Sequence, residues 1–195
     1  MARPSIILLL LIAALHTQAQ NLAFTLYLFG DSIGNSKITK KHEGSNDIYV
    51  LDTYAKAKIL WVTRENHTHY EAVYRDGKLQ SSVYYEINNG KKDKWSNIRF
   101  DGRQYNADTY MGKKTWTEAP THSIGTMYCD GYAPNKKRFF NEAQADFNEL
   151  SFPQANVIEF KSSDGNRNVY HFKNGQIDDV ECHTSIATLH IRRTR

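Results

Sequence analysis

Two histidines and two glutamates near the middle of the chain have the types and the spacing of metal ligands. His67, His69 and Glu71 alternate along one segment, and alternate residues of a β-strand point to the same side. A two-residue turn at Asp76-Gly77 would place Glu86 opposite His67. Imidazole and carboxylate groups are ligands that zinc takes in proteins, so His67, His69 and Glu86 form a candidate metal site. The alternative interpretation is an exposed polar face of a sheet.

Other arrangements that could support catalysis are missing from the sequence. There is no Gly-x-Ser-x-Gly motif, and the glycines fall in predicted turns rather than in a phosphate-binding loop. Cys129 and Cys182 follow no basic helix start that would lower a thiol pKa. They would either pair in an oxidising compartment or serve as two small buried residues. We therefore predict no enzymatic activity and no cofactor.

Turn signals place the strands that would position these residues. Asn-Gly and Asp-Gly dipeptides tolerate the positive φ that tight hairpin turns require. The segments between them are rich in Tyr, Val, Ile, Phe, Trp and Thr, which favour strands. This rhythm is typical of an antiparallel meander. The dipeptides are Asp76-Gly77, Asn89-Gly90, Asp101-Gly102, Asp130-Gly131, Asp164-Gly165 and Asn174-Gly175.

The turn at Asp76-Gly77 allows one hairpin register to be predicted residue by residue. With Arg75 opposite Lys78, the apolar pairs fall on one face and the polar pairs on the other, as in a sheet with one face on a core. The same reasoning at Asn174-Gly175 places Phe172 opposite Ile177 and Val169 opposite Val180. The predicted pairs of the first hairpin include Tyr74 with Leu79, Ala72 with Ser81, Tyr70 with Val83, Thr68 with Tyr85, His69 with Tyr84 and His67 with Glu86.

The remaining elements fit the same architecture. Further strands are predicted at Leu22–Phe29, Ser36–Lys41, Ile48–Tyr54 and Ile59–Thr63. The segment Pro120–Pro134 breaks the rhythm and is predicted to be a short helix or a crossing loop, with Thr121 as a cap. The expected fold is all-β: a strongly curved antiparallel meander sheet, closed or nearly closed into a β-barrel of about ten strands.

The N-terminus has the pattern of an export signal. Arg3 precedes an apolar run, Ile6–Leu15, and Thr17-Gln18-Ala19 resembles a small-x-small cleavage site. We expect a signal peptide at residues 1–19, a single all-β domain at residues 20–195, and a periplasmic or extracellular protein. No later apolar run has the length of a membrane-spanning helix, so no integral membrane insertion is expected. The net charge of +4 is too mild to indicate a nucleic-acid partner.

Several short motifs together resemble an uncharacterised family of exported bacterial β-rich proteins of about 200 residues. The resemblance covers most of the chain after the signal and implies an exported location and a β architecture. The chain departs from the family pattern at Cys129, where another apolar or aromatic residue is expected. The motifs include Tyr27-x-x-x-Gly30-x-x-x-Gly34, Asp76-Gly77-Lys78-Leu79, Asn88-Asn89-Gly90, Pro120-x-x-Ser123, Met127-Tyr128, Phe140-x-Glu142, Asp164-Gly165-Asn166-x-Asn168-x-Tyr170 and Asn174-Gly175.

A curved sheet with many aromatic residues favours a non-catalytic binding or carrier protein of the bacterial cell envelope. The concave face would hold an apolar or amphipathic ligand, such as a lipid. One alternative is a metal-binding protein or metal-dependent enzyme that uses His67, His69 and Glu86. Another is a structural envelope protein that acts through contacts with other proteins. The sequence leaves the ligand, the protein partner and the oligomeric state open.

Overall fold

The computed structural model describes residues 19–59, 61–162, 165–184 and 187–194, and these ranges contain fourteen strands and one short helix. The predicted signal peptide lies outside the described residues, except for Ala19. In chain order the elements are β1 (Gln20–Leu28), β2 (Asp31–Glu43), β3 (Asn46–Ile59), β4 (Val62–Arg75), β5 (Lys78–Asn88), β6 (Lys91–Phe100), β7 (Tyr105–Thr109), β8 (Gly112–Trp116), α1 (Ile124–Asp130), β9 (Arg138–Asn141), β10 (Asp146–Gln154), β11 (Val157–Lys161), β12 (Arg167–Lys173), β13 (Gln176–His183) and β14 (Thr188–Arg193).

All fourteen strands belong to one antiparallel sheet, which confirms the predicted all-β meander. From one edge to the other the order is β8, β7, β6, β5, β4, β3, β2, β1, β14, β13, β12, β11, β10 and β9. The first and last strands of the chain, β1 and β14, pair at the centre. The sheet has fourteen strands rather than about ten, and it is open, so the expected barrel is not formed.

The chain between the two sheet edges carries the helix that packs on the sheet. After β8 the polypeptide leaves the sheet, and α1 contacts β2, β3, β13 and β9 before the chain enters β9. Strands far apart in the sheet therefore wrap around one helix, which fills part of the concave face. An isolated bridge from Ser123 to Phe140 links this connection to the edge strand β9.

Four hairpins share one turn geometry and one bulge. In each, the two turn residues have positive φ, and the third residue after the glycine is left out of the strand pairing. An extra residue of this kind increases the local twist and bends the strand, so the repeated bulge contributes to the curvature of the sheet. The turns and bulged residues are Phe29-Gly30 with Ile33, Asp76-Gly77 with Gln80, Asn89-Gly90 with Asp93, and Asn174-Gly175 with Asp178.

The bulges correct the predicted registers. Arg75 opposite Lys78 and Tyr74 opposite Leu79 are confirmed, but beyond Gln80 every pair moves by one residue. Glu86 therefore lies opposite Thr68, not opposite His67. In the second hairpin Phe172 does face Ile177, whereas Val180 faces Tyr170 because Asp178 is bulged. The observed pairs in the first hairpin include Ala72 with Ser82, Tyr70 with Tyr84, His69 with Tyr85, Thr68 with Glu86 and His67 with Ile87.

Other local predictions have mixed outcomes. The predicted strand Ile59–Thr63 is wrong, because the chain turns there between β3 and β4. Asp101-Gly102 lies in the longer connection between β6 and β7, and Asp130-Gly131 ends α1. Asp164 lies outside the described residues.

The helix α1 is the short element predicted within Pro120–Pro134. Its N-cap is Ser123 rather than Thr121, and Thr126 Oγ1 accepts a hydrogen bond from the Ser123 backbone N–H at 2.8 Å. Gly125 permits close packing, because a Cβ there would lie 2.7 Å from Tyr49 Cβ. Tyr128 packs edge-on against Phe24 with ring centroids 5.3 Å apart. The described residues include no helix with the length and apolarity needed to cross a membrane.

Candidate ligand-binding cavity

A cavity of about 650 Å³ lies between the helix and the concave face of the sheet. Inward-pointing residues of the central strands form its walls, and Ile124 and Tyr128 of α1 close one side. The lining extends to the turns that join β1 to β2, β3 to β4 and β5 to β6, so the cavity reaches that end of the sheet. Its apolar lining residues are Leu26, Leu28, Ile33, Leu51, Ala55, Ala57, Ile59, Ile124, Tyr128, Ala187, Leu189 and Ile191.

The apolar wall follows from strand alternation around one side of the sheet. Leu26, Leu51 and Ile191 come from β1, β3 and β14, and their neighbours along each strand point outward. Small residues, Ala55 and Ala57, continue the inner face of β3 toward its turn. The inner face of the sheet thus packs against α1, and the cavity lies beside this contact.

A second, smaller cavity of about 220 Å³ adjoins the first. Tyr84, Ile124 and Thr184 line both cavities. The smaller cavity is more polar, because amide, hydroxyl and carboxyl groups form much of its wall. Its polar lining residues include Asn141, Glu142, Gln144, Ser162, Asn166, Asn168 and Thr184. The concave face therefore offers an apolar compartment beside a polar one.

Glu142 is the only acidic side chain among the buried residues of the described chain, and it lies in the wall of the polar compartment. Burial raises the pKa of its carboxyl to about 7. The Tyr70 hydroxyl donates a hydrogen bond to Glu142 Oε1 at 2.9 Å, and the Tyr74 hydroxyl donates to Ser123 Oγ at 2.7 Å. Ser96 Oγ donates to the Glu142 carbonyl oxygen at 2.6 Å. Tyr70 of β4 and the N-cap Ser123 thus hold the carboxyl, while Ser96 of β6 holds the Glu142 backbone.

Cys182 also lines the polar compartment and is free, as is the buried Cys129. The two thiols are therefore not joined. Burial raises the pKa of each thiol to about 12. A thiol with such a pKa stays protonated near neutral pH, and the protonated form is a poor nucleophile.

The structure does not bring together the three residues of the predicted metal site. His67 and His69 share the outer face of β4, where His69 Nδ1 lies 2.6 Å and His67 Nε2 lies 3.9 Å from Asp52 Oδ1. Glu86 lies on the inner face of β5, and its Oε1 accepts hydrogen bonds from Asn66 and Asn88. The bulge at Gln80 is the reason, since it moves Glu86 to the face opposite the histidines.

A different group of metal-ligating side chains lies on the outer face of β13 and β14. One ligand atom each of Asp179, Glu181 and His190 lies within 4.8 Å of the others, a proximity found nowhere else among the described His, Cys, Asp and Glu residues in groups of three. Ion pairs hold these residues: His190 Nδ1 lies 3.3 Å from Asp179 Oδ2, and His171 Nε2 lies 3.0 Å from Glu181 Oε1. The sequence signal was Asp179-x-Glu181, which alternates on one strand, but His190 joins it only through the β13–β14 pairing.

These features define a class of protein: a single open, curved antiparallel sheet that wraps around one short helix and encloses an apolar and a polar compartment. Residues 24–194 match a family described as a domain of unknown function, DUF6134, and the chain belongs to that family. This confirms the resemblance to an uncharacterised family. Comparison with curated proteins and with solved structures finds no match.

Proposed function

We propose that this protein is an exported, non-catalytic binding or carrier protein that holds an amphipathic molecule on the concave face of its sheet. The single observation that carries the proposal is the cavity of about 650 Å³ with a mainly aliphatic wall. Small-molecule sites are typically apolar clefts of roughly 300–1,000 Å³ with a few polar groups. The apolar compartment has this size and this character.

The apolar compartment suits a hydrocarbon chain. Leu26, Leu51 and Ile191 project from three neighbouring parts of the sheet into one space, where they offer no hydrogen-bonding groups. Burying a methylene group there would contribute roughly 0.8 kcal/mol to binding. A ligand without a chain of several carbons would gain little from this wall.

The adjoining polar compartment suits the head of the same molecule. Its amide and hydroxyl groups can donate and accept hydrogen bonds, and Glu142 adds a carboxyl whose pKa, raised by burial to about 7, lets it be protonated at neutral pH. A head that carries hydroxyl or amide groups matches this wall. Lys94 lines the same compartment, so a carboxylate head would also have a cation beside it.

Export is supported by the N-terminal sequence pattern. Arg3, the apolar run Ile6–Leu15 and Thr17-Gln18-Ala19 have the pattern of a secretory signal, and a carrier of amphipathic molecules is useful in a cell envelope, where such molecules must cross water. Binding is favoured over catalysis because Cys182, the thiol that lines the polar compartment, is held protonated by burial.

A fluorescent fatty acid tests the proposal. The purified protein is titrated with a dansyl-labelled fatty acid, whose emission rises when it leaves water. Ala55→Phe places an aromatic ring in the cavity wall. We expect it to weaken binding at least about tenfold, because the ring would occupy space that the hydrocarbon chain of the ligand needs. Tyr54→Phe is the matched control, since Tyr54 is the neighbouring residue on the exposed face of β3. Equal affinity of the two folded variants, or no binding by the wild type, would refute the proposal.

A second candidate function is divalent-cation binding at Asp179, Glu181 and His190, favoured by the proximity of their ligand atoms. The test is calorimetric titration with Zn²⁺, with His190→Ala as the variant and His42→Ala, an exposed histidine elsewhere, as the control. Stoichiometric binding that only His190→Ala abolishes would support the candidate. Weak binding that is equal in all three proteins would reject it.

A further inference from the structure

Three turns at one end of the sheet carry exposed large apolar residues. We call the mouth end the one that carries the turns β1–β2, β3–β4, β5–β6 and β7–β8, because the apolar cavity reaches the first three of them. Phe29, Trp61 and Met111 are turn residues at this end, with 72%, 82% and 56% of their surface exposed. At the opposite end the hairpin turns contain Gly44-Ser45, Asp76-Gly77 and Asn174-Gly175, which are small or polar.

Phe29 destabilises the turn in which it lies. It occupies a left-handed backbone conformation, with φ of 53°, at the first position of a two-residue hairpin turn. Asparagine, aspartate and glycine are preferred there, since other residues place Cβ too close to the following carbonyl oxygen. The three equivalent turns with the same bulge have Asp76, Asn89 and Asn174 at this position. Phe29 therefore lowers the stability of its turn, and its ring is exposed to solvent.

Trp61 is carried by a hairpin tip that projects beyond its neighbours. The β2–β3 register ends at Ala55, and the β4–β5 register begins at Asn66. Between these points Lys56–Ile59 pairs with Val62–Glu65. The tip bears Trp61 and Val62 with exposed side chains, while Ile59 lines the cavity beside it. The most exposed large apolar residue of the described chain thus stands at the edge of the cavity.

Basic residues outnumber acidic residues in the turn segments at the mouth end. The segments 28–33, 56–65, 88–93 and 108–114 hold seven Lys or Arg residues against four Asp or Glu residues. Lys58 and Arg64 are exposed on the projecting hairpin itself, and Lys91 and Lys92 are exposed at the next turn of the mouth end. Exposed tryptophan near cations is characteristic of the headgroup region of a bilayer, where the ring is anchored and the cations meet anionic lipids.

We propose that the mouth end docks on an anionic lipid bilayer, with Phe29, Trp61 and Val62 inserted among the headgroups and Lys58 and Arg64 against lipid phosphates. The separate, protruding tips fit the soft surface of a bilayer better than the flat complementary patch that a protein partner needs. The orientation places the cavity against the membrane, so an amphipathic molecule could pass between them without entering bulk water. Docking itself does not depend on the cavity being occupied.

The test is flotation of the full chain, recovered after export, with vesicles of pure phosphatidylglycerol and, separately, of pure phosphatidylcholine. We expect binding to phosphatidylglycerol that weakens as salt is added. The double variant Phe29→Asn/Trp61→Ser should lower the partition coefficient at least about tenfold, because burial of two aromatic side chains is lost. Val83→Ser is the matched control, since Val83 is 43% exposed on the outer face of β5, away from the tips.

Three outcomes would overturn this proposal. One is the absence of wild-type binding to either vesicle, and another is equal binding by the double variant and the Val83→Ser control. The third is a concentration-dependent dimer in sedimentation velocity that only the double variant abolishes, since the tips would then meet a second copy of the chain. None of these outcomes bears on fatty-acid binding in solution, so failure here is distinguishable from failure of the carrier function.

Discussion

The buried Glu142 should make stability fall as pH rises, and Glu142→Gln should remove this effect. The folded pKa is about 7, above the ordinary 4.5 of the unfolded chain. Between these values the folded protein keeps a proton that the unfolded chain has released, so folding becomes less favourable as pH increases and levels off above pH 7. One pKa unit corresponds to about 1.4 kcal/mol, which makes the full effect roughly 3 kcal/mol.

The assay is urea unfolding followed by tryptophan fluorescence at pH 4.5 and pH 8. In the Glu142→Gln variant the introduced amide oxygen can still accept the hydrogen bond from the Tyr70 hydroxyl. The free energy of unfolding of Glu142→Gln, relative to wild type, should therefore be higher at pH 8 than at pH 4.5 by about 3 kcal/mol. Glu149→Gln is the control, because Glu149 is exposed on β10, and its difference from wild type should not change with pH. The same pH-independent difference for both variants would refute the reasoning.

Three further predictions concern the helix, the turns and the thiols. Gly125→Ala should lower the free energy of unfolding by about 1–2 kcal/mol, because its Cβ would meet Tyr49 at 2.7 Å; equal stability in urea would contradict the packing. Phe29→Asn alone should raise the free energy of unfolding by roughly 1 kcal/mol, and a lower thermal midpoint would count against the turn argument. Cys129 and Cys182 should react with iodoacetamide at pH 8 about a thousandfold more slowly in the folded protein than in urea, whereas rapid alkylation would show that burial does not protect the thiols.

The sequence predicted the all-β meander and several turns, because those depend on local chemistry, but it predicted about ten strands where there are fourteen. Asn-Gly and Asp-Gly dipeptides favour the positive φ of a hairpin turn wherever they occur, and the turns at Asp76, Asn89 and Asn174 are where they were expected. The turn at Phe29-Gly30 was not predicted as one of this group, because phenylalanine is disfavoured in that conformation. Phe29 occupies this turn at the mouth end although its backbone conformation disfavours phenylalanine.

The candidate site could not be predicted to the same extent, because one-residue shifts decide which face a side chain occupies. The bulge at Gln80 accompanies its two-residue turn, as a bulge does in three other hairpins, but the turn dipeptide alone does not specify it. This bulge places Glu86 and His67 on opposite faces of the sheet, so the predicted metal site does not form. The cavity likewise arises from how the sheet wraps around α1, a long-range arrangement that hydrophobic alternation does not specify.

The burial of Glu142 also could not be predicted from the sequence. The sequence presents it as one acidic residue in the motif Phe140-x-Glu142, with no indication of burial. Only the fold brings Tyr70 within 2.9 Å of its carboxyl and encloses both. A buried acidic residue beside a polar cavity was therefore visible only in the structure.

Native mass spectrometry of the protein, gently purified after export, tests the carrier function most directly. The account predicts an adduct of lipid-like mass, bound one to one, that is retained by the Tyr54→Phe variant and lost or strongly reduced in Ala55→Phe. Extraction of the adduct should yield a molecule with a hydrocarbon chain and a polar head. A clean mass without adduct in the wild type, together with failure to bind the dansyl-labelled fatty acid, would contradict the account.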